Sequence, residues 1–269
     1  MLSSNAVSCL TAYPNHKELF PEVELKGGVC YFVRGKKYDG ACNYSTISNG
    51  VIETAEVNLS EMDVFVREPL KAKIVAKVLA VAKNEGQKFV SEILSADTPF
   101  GVPTNPTKNK KIVYEVQNDK DDEFFVELHY LINNKRHSGY IKRDSIKKNP
   151  DDIDKIKVYV PAAGGSGNDK LVLGKPIIAM PPSVCSQTYL YATFSTLNEA
   201  ENFVSYLKTR FFRFLVSAIK ITQHAQSSVY KFVPVQDFSE VWSDERLFDK
   251  YGITEDEKEY IMAGINIME

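Results

Sequence analysis

The 269-residue chain is 43% hydrophobic, 25% charged and 11% aromatic, the composition of an ordinary folded globular protein and not of a disordered or fibrous one. Its 33 basic and 35 acidic residues leave a formal charge of -2, which excludes nucleic-acid binding by bulk charge and requires any phosphate contact to come from a local patch. The length suits one large domain or two smaller ones, no apolar run reaches the roughly 18 residues of a membrane span, and the N-terminal residues lack the pattern of a signal peptide.

Val7 to Tyr13 is expected to form a strand that stops at the turn signal Pro14-Asn15. The apolar run from Gly27 to Arg34 reads as a buried strand, residues 35–40 as a turn, and Ala41 to Ile47 as a return strand, together an antiparallel hairpin. A further strand is expected around Val51 to Val57, followed by the apolar Val64-Phe65-Val66. From Pro69 onward, Leu70, Ile74, Val75, Val78, Leu79 and Val81 recur at helical spacing, and after Asn84-Glu85-Gly86 a second short helix is expected from Phe89 to Leu94. The cysteines at 9, 30, 42 and 185 form no CxxC pair and read as reduced thiols of a cytoplasmic protein.

Between residues 97 and 150 the chain turns to prolines, charges and short strands. Pro99, Gly101, Pro103 and Pro106 punctuate a loop that ends in Lys108-Asn109-Lys110-Lys111, after which strands are expected at Ile112 to Val116 and Phe124 to Ile132. Asn133 to Gly139 reads as a hairpin tip leading into Tyr140-Ile141-Lys142-Arg143. Two basic clusters, Lys108 to Lys111 and Lys135 to Arg143, are therefore placed on loops, where Asn, Ser and aromatic neighbours fit contact with a nucleic-acid groove. Solvated turns explain the same clusters equally well.

Further on, strands are expected at Lys157 to Val160, Leu171 to Ala179 and Cys185 to Phe194. The last leads into the segment on which the chain is centred. Thr196 with Glu199 matches a capping box, and Leu197, Ala200, Phe203, Val204, Leu207, Phe211, Leu215, Ala218 and Ile219 then predict one amphipathic helix of about six turns. Its other face carries Lys208, Arg210, Arg213 and Lys220, and it exits into the polar tract Thr222 to Ser228, which includes Gln223 and His224. Such a helix suits phosphates and base edges, and equally a core helix with a solvated face. Two short helices close the reading, one opening at Ser243 and one at Thr254 with Glu257.

Motifs of catalysis are missing. Gly164-Gly165-Ser166-Gly167 is followed by no Gly-Lys-Ser/Thr and reads as a loop. Glu22-Val23-Glu24-Leu25-Lys26 contains the acid-x-Lys pattern of metal-dependent nucleases, but no partner acid precedes it. His16, His129, His137 and His224 are scattered without the spacing of a helical metal site, and no nucleophile elbow occurs. The chain has no self-contained catalytic constellation.

Several segments together resemble one family. Tyr13 to Val23 with Gly27 to Phe32, Leu173 to Pro176, Lys208 to Leu215, Ile221 to His224, Val233 to Phe238 and Trp242 to Glu245 resemble the part that follows the catalytic region in adenine-specific DNA methyltransferases of fused, type II restriction-modification systems. The resemblance implies that the first strands correspond to the closing strands of a methyltransferase sheet and that the remainder is a target-recognition region. Methylating members carry an Asn/Asp-Pro-Pro-Tyr/Phe motif around the flipped adenine and a glycine-rich turn for S-adenosylmethionine. Here Pro181-Pro182 stands between Met180 and Ser183, and no such turn occurs, so the chain is expected to be the C-terminal part of such an enzyme without methyl transfer of its own.

The expectation is an α+β protein, residues 1–66 a remnant of the methyltransferase domain and residues 67–269 a recognition domain, with no cofactor in this chain. Duplex DNA is the expected partner, together with a catalytic methyltransferase or restriction subunit and no membrane. Contacts are assigned to Lys108, Lys110, Lys111, Arg136, His137, Lys142 and Arg143, with Gln223 and His224 beside them. The alternative is an interaction module whose sheet edge pairs with a partner.

Overall fold

A computed structural model describes residues 5–25, 28–108, 124–164 and 170–269. The described chain is α+β. In order it runs β1 (Val7–Tyr13), β2 (Val29–Arg34), β3 (Cys42–Ser48), β4 (Val51–Val57), α1 (Pro69–Asn84), α2 (Val90–Ile93), β5 (Phe125–Ile132), β6 (Lys135–Lys142) and β7 (Ile156–Pro161). It continues through β8 (Ile177–Ala179), β9 (Ser183–Cys185), β10 (Tyr189–Phe194), α3 (Leu197–Lys208), α4 (Arg210–Ser217), α5 (Asp244–Lys250) and α6 (Glu255–Gly264). Two compact units result, Met1–Gln87 with Phe248–Tyr260 and Lys88–Leu247 with Ile261–Glu269.

The first unit holds a four-stranded sheet in the order β2-β1-β3-β4. β1 pairs antiparallel with β2 and parallel with β3, so the expected hairpin between β2 and β3 is corrected: the two run in opposite directions but β1 lies between them. The connection explains why. Residues 35–40 are too long for a tight turn and wrap the start of β1, where Gly35 N–H donates to Ala6 O at 2.9 Å and Gly40 N–H to Asn5 O at 3.4 Å. A tight hairpin does join β3 to β4. Asn49 and Gly50 both have positive φ, 51° and 75°, the backbone of a two-residue turn whose twist matches the strands.

α1 begins at Pro69, whose missing N–H falls where a helix has no acceptor for it. Ala72, Ile74, Val75, Val78, Leu79 and Ala82 are buried on its inner side. Each large apolar side chain so buried contributes about 1.5–3 kcal/mol. In the same unit Glu257 closes the capping box of Thr254 and lies 2.5 Å from Lys77 Nζ, so its buried carboxylate is paired.

The second unit contains two three-stranded sheets, β10-β7-β8 and β6-β5-β9. The second is mixed, β5 being antiparallel to β6 and parallel to β9. The expected strand over Leu171 to Ala179 shortens to Ile177–Ala179, and that over Cys185 to Phe194 splits into β9 and β10 around Ser186 to Thr188. The strand expected at Ile112 to Val116 and the glycine-rich residues 165–167 lie outside the described residues.

The expected six-turn helix is two helices. Thr209 is extended, with ψ 149°, and serves both: it terminates α3, and its Oγ1 accepts from Phe212 N–H as the N-cap of α4. The break is supported on each side. Asp244 accepts from the N–H groups of Arg210 and Phe211 at 3.1 and 2.8 Å, occupying donors that open the first turn of α4. Arg213 donates to the carbonyls of Lys208, Thr209 and Leu171. The apolar stripe passes through this point unbroken because both helices bury the same kind of residue.

Candidate nucleic-acid interface

Of the four cations on the back of the central segment two are buried, while Lys208 and Arg210 are half-buried. Arg213 is 0% exposed and Lys220 4%, the latter donating from Nζ to Gly164 O at 2.8 Å. Burial lowers the Arg213 guanidinium to about 10, still above neutral pH, and carbonyl oxygens take its N–H groups. These two buried cations close the fold; they do not face phosphates.

The cluster expected on a loop at Lys135 to Arg143 is instead mostly strand. Asn133 and Asn134 take φ of 51° and 61° and form the whole turn between β5 and β6, since asparagine tolerates the left-handed region better than most residues. Register then fixes each side chain: Arg136 lies opposite Leu131, and His137 opposite Tyr130, with the two rings stacked 5.6 Å apart. Arg136 and His137 are consecutive, so they project from opposite faces of the sheet. Arg136 Nη2 donates to Lys175 O at 2.9 Å.

Lys142 ends the same strand, about 20 Å from Arg136 at the usual rise per residue. Arg143 follows it and makes a two-pronged pair with Asp154 at 2.7 and 2.5 Å, which holds the Asp154 carboxyl below the usual range. Lys108 is exposed at the end of a single 3₁₀ turn, Pro106–Lys108, while Lys110 and Lys111 lie outside the described residues. The nine expected contact residues thus fall into groups, with Lys142 and Arg143 separated from Arg136 and His137 by the length of a strand.

One cleft in the second unit joins sequence positions that spacing could not connect. It is open to solvent, has a volume of about 320 Å³ and is lined by Leu131, Asn133 and Asn134 of the hairpin, Ala162 and Ala163 after β7, and Gln187 and Thr188 before β10. His224, Gln226, Asp97 and Thr104 complete it. The 222–226 segment is fastened there by backbone bonds: Ala225 N–H donates to Ala162 O at 2.8 Å, and Gly164 N–H to Gln223 O at 3.0 Å. His224 therefore faces the turn of the hairpin that carries Arg136 and His137. Gln223, exposed, offers its carbonyl to Gly164 and does not line the cleft. Sequence reasoning missed Asn133, Asn134, Gln187 and Gln226; the first two carry a signal, a pair of asparagines between two alternating strands.

A second cluster of titratable groups lies in the core. Lys157 is fully buried, and its three donors are spent on the carbonyls of Asp152, Ile153 and Lys155 at 2.7, 3.0 and 2.6 Å. Burial lowers it to about 8. Burial also lowers His129, against the opposing pull of Glu127 at 3.5 Å, and raises the Cys185 thiol. With its donors engaged, Lys157 is a structural tie across the turn that precedes β7.

Among the described residues no group of three or more His, Cys, Asp or Glu could hold a metal ion, and no helix is long and apolar enough to cross a membrane. No protein-family model matches the sequence, and no curated protein matches it. A solved structure of the type IIG restriction endonuclease BpuSI is similar to this chain at a TM-score of 0.39 and 9% identity, over 96% of this chain. The chain spans 39% of that enzyme's length, and a likeness of this degree carries no argument about activity.

Proposed function

We propose that the chain recognises duplex DNA in a sequence-dependent manner, as the non-catalytic C-terminal part of an adenine-specific restriction-modification methyltransferase whose catalytic part binds S-adenosylmethionine. The observation that carries this reading is the outer half of the β5–β6 hairpin. β9 pairs only with Glu127 to His129 of β5, so from Tyr130 to His137 the hairpin is two-stranded; Tyr130, Leu131 and Ile132 pack on the core, and the exposed part is the tip and the start of β6. A two-stranded ribbon fits the major groove of B-DNA. Its end exposes Asn133, Asn134, Lys135, Arg136 and His137 in succession, which combines amides that read base edges with cations that neutralise phosphate. Lys142 and Arg143 at the strand's other end, together with Lys108, Lys110, Lys111, Gln223 and His224, are assigned to further phosphate or base contacts. A catalytic methyltransferase or restriction subunit is the protein partner that this reading requires.

Selection from a randomised duplex pool at low and moderate salt tests the proposal. Enrichment of a short motif that persists at the higher salt is the expected result, because base contacts survive when phosphate attraction is screened. Absence of any retained sequence at either salt overturns it.

A second reading, a protein-interaction module, is favoured by one observation. β2 is an edge strand with Tyr31, Phe32 and Val33 exposed at 55%, 45% and 57%, apolar on both faces. Such an edge invites pairing with another strand. Light scattering across a concentration series separates the readings, since mass that grows with concentration in the absence of DNA favours the second.

A further inference from the structure

The cleft beside the hairpin turn presents two carboxamides, each engaged by one hydrogen bond. Thr104 Oγ1 donates to Gln187 Oε1 at 3.3 Å, which leaves Gln187 Nε2 as a donor. Gln226 Nε2 donates to Asp97 Oδ2 at 2.8 Å, which leaves Gln226 Oε1 as an acceptor. Both residues line the cleft, so two carboxamides arrive there with their orientation set by a neighbour. Asn133 and Asn134 line the same cleft, and their side chains make no hydrogen bond among the described residues. Leu131, Ala162 and Ala163 add apolar surface between the polar groups.

A free donor, a free acceptor and a small apolar wall complement a flat heterocycle whose edge carries an acceptor and a donor side by side. Every nucleobase has such an edge on its Watson–Crick side. Size agrees: about 320 Å³ stands at the lower end of small-molecule clefts, which run upward from about 300 Å³, and suits one ring system. Shape decides the form of the ligand. In a closed duplex the base edges lie at the floor of a groove, out of reach of a concave site, whereas a base that has left the stack projects and can enter one.

We infer that this cleft takes up a single unstacked nucleobase, gripped at its edge by Gln187 Nε2 and Gln226 Oε1. The source of the base, an opened or unpaired position in DNA, rests on the function proposed above; the chemistry of the cleft does not. The ribbon end and the cleft share the Asn133-Asn134 turn, so a duplex held by the ribbon brings its bases to the cleft mouth.

Three probes test the inference on the full chain: a duplex with one unpaired 2-aminopurine, the same duplex fully paired, and free adenosine. The unpaired duplex is expected to bind about ten-fold more tightly than the paired one, with 2-aminopurine fluorescence rising as the base leaves its neighbours. Gln187→Ala with Gln226→Ala is expected to erase that preference and keep the affinity for the paired duplex, circular dichroism reporting that the exposed substitutions leave the fold intact. Equal affinity of the native chain for the two duplexes overturns the inference while the DNA reading stands. If neither duplex binds, the DNA reading falls and adenosine decides the cleft: binding that perturbs the Asn133 and Asn134 amide resonances sustains it, and no binding overturns it.

Discussion

Arg213 donates through Nε to the carbonyl of Thr209, 3.2 Å away, and the same threonine caps the helix on which Arg213 sits. The arginine is fully buried and binds two further carbonyls, those of Lys208 and Leu171. A cation in the core is thus used as a backbone clamp across a helix break, which is where its stabilising effect originates.

Removing that clamp leaves several buried carbonyls without donors. Arg213→Ala is expected to destabilise the chain by about 3 kcal/mol or more, and Thr209→Ala, which removes a cap, by about 1–2 kcal/mol. Urea midpoints of the two variants check the order, and a smaller loss for Arg213→Ala would remove the clamp from the account.

Lys157 makes stability depend on alkaline pH in a direction that can be stated. Burial lowers its folded-state pKa to about 8 from an ordinary value of 10.5, so between those values the unfolded chain binds more protons. Unfolding free energy attributable to this residue therefore rises as pH increases from 8 to 10.5. Cys185 and Cys42 act in the opposite sense, their thiols being raised by burial, Cys42 to about 11. The readout is consequently the difference between the native chain and Lys157→Met, expected to grow across that window. A flat difference would mean that the three carbonyls keep the ammonium charged throughout.

For DNA binding the two arginines of β6 and its exit differ. Arg136→Ala is expected to weaken binding and to reduce the salt slope of log affinity by about one. Arg143→Ala is expected to change affinity by a smaller factor, because Asp154 already pairs with that guanidinium. Titrations at four salt concentrations measure both, and equal effects would reverse the ranking.

Gly50 isolates a backbone effect. Its φ is 75° and a Cβ placed there meets nothing within 4 Å, so Gly50→Ala carries strain without a clash. A loss of about 1 kcal/mol is expected by thermal or urea unfolding, with Asn49→Gly close to neutral.

How far the sequence revealed all this depends on the range of the forces involved. α1 was legible because its apolar residues repeat locally, and the α+β class followed from the succession of short strands and helical stretches. Asn49-Gly50 was readable in the same local terms, as the strongest short-range hairpin signal, and would have joined β3 to β4 directly. β1 between β2 and β3 was not, since both neighbours have similar apolar runs and only the path of residues 35–40 distinguishes the pairings. Nor was the break at Thr209, which depends on Asp244 and Leu171, remote in sequence. The cleft is the extreme case: its lining comes from segments near residues 97–104, 131–134, 162, 187 and 224–226, which no spacing rule relates.

The alternation of β6 has a thermodynamic corollary. Because Arg136 and His137 leave the hairpin from opposite faces, one against Lys175 and Pro176 and the other against Tyr130, they have no hydrogen-bond or ring partner in common among the described residues. Substitutions at the two positions should therefore add, with a coupling energy in a double-mutant cycle of no more than about 0.5 kcal/mol. Adjacent in the chain yet energetically separate, the two residues can be altered one at a time, each change leaving the other's contribution as it was.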